Sequence, residues 1–222
     1  MKTYDILANA YEHLIDDVLY AIYVKTIQKH TQPCIALEVG SGTAALSREL
    51  ARLNYQMHAM DTSDMMLAVG SCYSYQERLD VSFYHGSMLD PFPLKADLIL
   101  LPTDVINHLH TEDELITLKT HLLYALHEGG TLIFDTLNPL YAKNIVGHSE
   151  TVKIHDDTLL WEVKQGSTPE RIKHEITLND MFDSHEETVF PLETYENLFK
   201  ELNLIEKLTL EERTLYVYKK EK

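Results

Sequence analysis

The segment Leu37-Glu38-Val39-Gly40-Ser41-Gly42-Thr43-Ala44-Ala45 sets two glycines between an apolar run and a stretch of helical composition. Glycines at such a junction let the backbone turn tightly and let a ligand approach without a Cβ in the way. Cys34 to Val39 is apolar and carries β-branched residues, which predicts a short buried strand; Ala44 to Leu53 predicts a helix. Gln56 to Asp61 predicts a second strand that ends on an acid. Strand, glycine loop, helix, strand commits the chain to parallel pairing, because a parallel pair needs a crossover connection.

The rest of the chain extends that pattern. Ser63 is placed to cap a helix running to about Tyr75, Val81 to His85 predicts a brief strand, and Asp97 to Leu101 predicts a strand stopped by Pro102. Thr111 followed by Glu114 is a capping box for a helix to Leu126, which Gly129 and Gly130 are expected to end. Thr131 to Asp135 predicts a fifth strand. Before the first strand, the spacing of Ile6, Leu7, Ala10, Tyr11, Leu14, Ile15 and Val18 predicts an amphipathic helix or a broken pair from Tyr4 to Lys29. After Pro139 the rhythm changes to short strands, at Thr151 to Ile154, Thr158 to Lys164, Ile172 to Leu178 and Glu187 to Phe190. Glu193 to Leu202 predicts a last helix, and Leu204 to Leu210 with Arg213 to Tyr218 a closing hairpin. The expected fold is doubly wound α/β (Rossmann-like), a mostly parallel seven-stranded sheet with a helical cover over 1–30 and a small antiparallel β insertion over 139–191. The 222 residues suit one such domain, 1–222.

A formal net charge of -16, from 19 basic and 35 acidic residues, repels phosphate backbones and anionic surfaces, so nucleic acid and membrane are not expected as main partners. Cys34 and Cys72 form no CxxC pair, and the first thirty residues carry Asp5, Glu12, Asp16 and Asp17 where a secretory leader would be apolar; a cytoplasmic setting is expected. His108 with His110, and His155 before Asp156 and Asp157, invite a metal reading. Neither completes a zinc or iron spacing, so no metal is expected.

Gly40, Gly42 and Ala45 satisfy the relaxed dinucleotide fingerprint, and Asp61, about twenty residues on, stands where an acid accepts from ribose hydroxyls. The loop alone therefore admits a nicotinamide-dependent oxidoreductase. Glu38 argues otherwise: a carboxylate two residues before the first glycine is a poor neighbour for a pyrophosphate and a good one for a cofactor bearing sulfonium and ammonium groups.

With these residues the chain resembles the class I S-adenosylmethionine-dependent methyltransferases, whose first motif, acid-x-Gly-x-Gly, is here Glu38-Val39-Gly40-Ser41-Gly42. The second-strand acid is matched in Met60-Asp61-Thr62-Ser63-Asp64-Met65-Met66, and a further motif in Gly86-Ser87-Met88-Leu89-Asp90, where Ser87 replaces the usual acid. The opening Tyr4-Asp5-Ile6-Leu7-Ala8-Asn9-Ala10-Tyr11 and the segment Thr103-Asp104-Val105-Ile106-Asn107-His108-Leu109 are similar to the small stand-alone bacterial members, with His108 at a tyrosine position. The resemblance implies S-adenosylmethionine as cofactor, leaving as S-adenosylhomocysteine. It implies that Tyr4 and Tyr11 cover the methionine end, that Glu38, Gly40, Ser41 and Gly42 form the loop, and that Asp61 holds the ribose. Thr62, Met66, Ser87 and Met88 then lie beside the adenosine. Thr103, Asp104, Asn107 and His108 face the mouth, with His108 as the candidate base or positioning group, since an imidazole titrates near neutral pH.

The expected reaction is direct methyl transfer to an N, O or C nucleophile of a small-molecule acceptor by a monomer or homodimer, with the insertion, including Trp161 and Tyr141, overhanging the site. The alternatives are the oxidoreductase above and a non-catalytic protein that binds S-adenosylmethionine.

Overall fold

The computed structural model describes residues 5–8 and 10–222. Two single 3-10 turns, Asp5–Leu7 and Tyr11–His13, precede α1 (Asp17–His30). The continuous helix starts at Asp17 because Asp16 caps it, its side chain accepting from the backbone N–H groups of Val18 and Leu19. Of the alternatives for the opening segment, the interrupted form is therefore the one adopted, and Tyr4 lies outside the described residues.

β1 (Ile35–Val39), α2 (Ala45–Arg52), β2 (Gln56–Asp61), α3 (Asp64–Glu77), β3 (Val81–His85) and β4 (Ala96–Leu101) follow the expected order. Ser63 caps α3 by accepting from Met66 N at 3.1 Å. α4 (Glu112–Ala125) opens with the capping box of Thr111 and Glu114. The two glycines do not end this helix: β5 (Leu126–Leu137) begins immediately and contains them. Leu126 already pairs with Ala96 of β4, and an irregularity between Ala96 and Leu98 absorbs the extra residues, with Gly129 at φ +76°.

α5 (Pro139–Ile145) opens the stretch expected to be a β insertion, its helix favoured by a proline in the first turn. β6 (Ser149–Ile154), β7 (Asp157–Gln165), β8 (Arg171–Leu178) and β9 (Met181–Thr188) form a separate four-stranded antiparallel meander. β9 thus begins six residues earlier than the Glu187 start expected, because it pairs along the whole of β8 from Met181 opposite Leu178. α6 (Leu192–Leu198) leads to the hairpin β10 (Asn203–Thr209) and β11 (Arg213–Lys219).

The main sheet has seven strands in the order β10-β11-β5-β4-β1-β2-β3, with β11 antiparallel to β5 and the pairs from β3 to β5 parallel. Period-two alternation divides its apolar side chains between two layers. Leu37, Val39, Ile99, Leu101 and Phe134 pack with Leu115, Leu118 and Leu122 of α4 and Phe199 beside α6. Ala36, Leu98, Leu100 and Ile133 pack with Tyr23 and Ile27 of α1 and Leu46 and Leu50 of α2. A third cluster joins Ile6 and Leu7 to Met66 of α3 and to Ile154, Leu159 and Ile176, so the small sheet is packed against the opening turn and α3. Among the described residues no helix is long and apolar enough to cross a membrane.

Candidate active site

Gly40 and Gly42 take φ of +70° and +53°, a region open to glycine at little cost. The loop is tied to β2 by the N–H groups of Gly40 and Ser41, which both donate to Met60 O, at 2.8 and 3.0 Å. A Cβ on Gly40 would stand 2.5 Å from a methyl of Val105, so this approach excludes any side chain. Asp61 completes the loop: Oδ2 accepts from Gly42 N and Oδ1 from Ser63 N, each at 2.8 Å.

Tyr11 lies against this loop, its ring 3.4 Å from where a Cβ on Gly42 would stand. The turn that carries it is anchored by Glu12, which meets Arg48 of α2 at 2.7 Å and accepts from Thr43 Oγ1 at 2.5 Å. Arg48 also donates to Thr43 O at 2.8 Å. No short-range pattern announces this link, because Glu12 and Arg48 are 36 residues apart.

A cavity of about 450 Å³ opens over the loop, within the range of roughly 300–1,000 Å³ usual for small-molecule sites. Tyr11, Gly40, Gly42, Asp61, Thr62 and Met66 line it, together with Ser87, Met88, Thr103 and His108. Ser87 also braces its own turn, its Oγ accepting from Leu89 N at 3.1 Å while its N–H donates to Asp90. Thr103 on the cavity wall and Asp104 next to it both have left-handed backbones, φ +57° and +58°, a conformation costly for a β-branched threonine.

Four residues singled out from the sequence are not on the wall. Glu38 points into the α1–α2 layer, where its buried carboxylate accepts from Ser47 Oγ. Ser41 is buried within the loop, and its hydroxyl has no partner among the described residues. Asn107 is fully buried as a brace between the two sheets: its amide donates to Thr136 Oγ1 at 3.0 Å and Thr188 O at 2.8 Å and accepts from Leu137 N at 3.1 Å. A short asparagine committed to three partners has no atoms left for the cavity. Asp104 likewise turns to Arg213, at 3.1 Å.

The wall also includes His110 and Glu114, and His185 and Glu186 from β9. The available signal for β9 was His185-x-Glu187, two residues that share one face of a strand, as period two requires. The lining contains Asp61, Glu114 and Glu186 and, among the described residues, no lysine or arginine. Glu186 shares its charge with Arg171 at 3.5 Å, whereas Glu114 accepts only from the backbone N–H groups of His110 and Thr111 among the bonds it receives. Burial lowers the pKa of His108 to about 4, helped by the histidines His185, His174 and His110 and opposed by Glu187. Its ring is therefore neutral at pH 7.

Burial pushes Glu38 up to about 7 against the hydrogen bonds from Ser47. A carboxyl that holds its proton more tightly when folded contributes stability that is complete below its ordinary value of 4.5 and is lost as pH rises through about 7. Glu38→Gln is therefore expected to flatten the fall in melting temperature between about pH 5 and pH 7.5 relative to the wild type. Parallel melting curves for the two proteins across that window would refute the assignment.

The loop, the acid and the cavity suit a nucleoside cofactor with a cationic end. The glycines leave a cradle that a Cβ would fill, Asp61 keeps lone pairs beyond those used by the backbone, and Glu38 adds a buried carboxyl beneath.

Residues 36–130 match the family model described as a methyltransferase domain. A protein of Geobacillus sp. (strain WCH70) with a provisional methyltransferase designation is 23% identical over 184 residues, covering 79% of this chain and 74% of its own. An S-adenosylmethionine-dependent methyltransferase from Clostridium acetobutylicum ATCC 824 has the same fold, with a TM-score of 0.82 at 19% identity over 98% of this chain and 97% of that one. The sugar N-methyltransferase KedS8 from Streptoalloteichus sp. ATCC 53650 superposes with a TM-score of 0.78 at 18% identity, over 100% and 94% of the two chains.

Proposed function

We propose that this chain, whose residues 36–130 match a methyltransferase domain, is a class I S-adenosylmethionine-dependent methyltransferase that methylates a nucleophilic nitrogen of a small, positively charged acceptor. The observation that carries the acceptor class is the wall: carboxylates from Asp61, Glu114 and Glu186 with no lysine or arginine among its described residues favour a cation over a phosphate-bearing molecule. The nitrogen is supported by the likeness to the sugar N-methyltransferase KedS8.

The cofactor supplies a methyl group already activated on a sulfonium. Asp61 and the Gly40 to Gly42 loop would hold it, with Tyr11 over the loop and Met66 and Met88 as apolar wall. The chain's own contribution is then proximity, alignment and exclusion of water, to which the packed opening turn and small sheet contribute. Neutral His108 can accept a hydrogen bond at the wall, as a positioning group or base.

Calorimetry with S-adenosylmethionine, S-adenosylhomocysteine and reduced nicotinamide cofactor tests the cofactor, with micromolar binding of the sulfur pair alone expected. An acceptor panel of amines, alcohols and carboxylates, read by S-adenosylhomocysteine release, tests the acceptor class. Turnover confined to alcohols or carboxylates would overturn the nitrogen reading.

A further inference from the structure

The register of the small sheet sets His174 of β8 directly opposite His185 of β9, with their rings 4.9 Å apart and nearly parallel at 12°. Both rings turn Nε2 toward Glu187, at 3.6 Å for His174 and 3.5 Å for His185. His185 lines the cavity, and the ring of His108 is 5.4 Å from it. We propose, resting on the methyl-transfer reading above, that His174, His185 and Glu187 receive the proton that an ammonium acceptor must lose, with His185 as the point of entry.

Trp161 fixes the tautomer of His174. Its indole N–H donates to His174 Nδ1 at 2.9 Å. An indole can only donate, so Nδ1 is bare, and neutral His174 carries its hydrogen on Nε2, toward Glu187. The Glu187 side chain is 4% exposed, and among the described residues no lysine or arginine forms an ion pair with it. Burial opposes its charge, but the His174 and His185 rings beside it hold the carboxyl below the usual range. With neutral imidazoles the cluster therefore carries one buried negative charge, and one added proton neutralises it.

The same three side chains bring metal-ligating atoms within 4.8 Å of one another. The tautomer that Trp161 imposes leaves His174 Nε2 without a lone pair, and nearly parallel rings are poorly set to aim both lone pairs in plane at one ion. The geometry suits a proton better than a metal.

In the step, an N–H bond of the ammonium breaks, its electron pair stays on nitrogen as the lone pair that methylation needs, and the proton joins His185. The resulting imidazolium faces the Glu187 carboxylate and later releases the proton to solvent. The groups facing this centre are His174 on β8, Glu187 on β9, and Asp104, His108 and His110 on the segment after β4.

Sinefungin, which carries a protonated amine where the cofactor carries its methyl group, probes the wall without a known acceptor. Calorimetry of the full chain with sinefungin and S-adenosylhomocysteine at about pH 7.5 is expected to show Glu187→Gln weakening sinefungin about tenfold while leaving S-adenosylhomocysteine within about twofold. His185→Asn is expected to act in the same direction. Equal losses for both ligands, no loss for sinefungin, or stoichiometric zinc retained by the wild type would overturn the proposal. A wild type that binds neither ligand would instead remove the methyl-transfer reading on which it rests.

Discussion

Replacing Arg213 with methionine is expected to destabilise the fold by about 3–5 kcal/mol, because it removes the cation from a buried network and leaves its carboxylates behind. Arg213 stands on β11 with its side chain 12% exposed, 2.7 Å from Asp135 and 3.1 Å from Asp104. Asp135 is fully buried on β5, where it also accepts from the Tyr23 hydroxyl of α1 and from Asp104 N at 3.1 Å. The network therefore ties α1, the end of β4, β5 and β11 together. Burial raises Asp104 to about 7 even with Arg213 pulling it down, so without the arginine both acids must stay charged and unpaired or take up protons. Urea denaturation would read the loss, and adding Asp135→Asn to Arg213→Met is expected to recover part of it. A loss below about 1 kcal/mol would mean that the network is relieved by water and carries little of the fold.

The second large effect is expected at Asp61. Its two oxygens take the N–H groups of Gly42 and Ser63, so Asp61→Ala leaves two donors without their acceptor as well as removing the proposed ribose partner. The two unsatisfied donors lower the stability of the loop by about 1–3 kcal/mol each, while loss of the charged ribose acceptor, about 1.5–3 kcal/mol, corresponds to a roughly tenfold to hundredfold weaker complex with S-adenosylhomocysteine. Asp61→Asn is expected to fall between wild type and alanine, since an amide offers one oxygen but sets an NH₂ against the other donor. Calorimetry that returns an unchanged dissociation constant for the alanine variant would take Asp61 out of the site.

Much of the proposed cofactor loop's geometry was legible because its signals are local. Gly40 and Gly42 need positive φ, and β2 ends on Asp61 beside Ser63, which caps the next helix. The capping box of Thr111 and Glu114 is equally local and forms as expected. Gly129 and Gly130 misled for a related reason: glycine after a helical run is an ordinary stop signal, but pairing of Leu126 with Ala96 draws those residues into β5. Asn107 lay in a segment whose resemblance pointed to the mouth, yet its amide is taken up by Thr136, Thr188 and Leu137, partners 29, 81 and 30 residues away.

What the sequence by itself determined is the order of the main-sheet elements and the glycine loop proposed to receive a nucleoside, because backbone preferences and apolar period act between near neighbours. Only the tertiary structure decided which side chains gather behind His185 at the cavity wall. His174 meets His185 through strand register, Glu187 reaches both from the same face, and Trp161 sets the tautomer from β7. Those contacts join strands whose alignment is set by the packing of the whole small sheet, and the spacing of residues along one strand carries no record of what its neighbour places opposite.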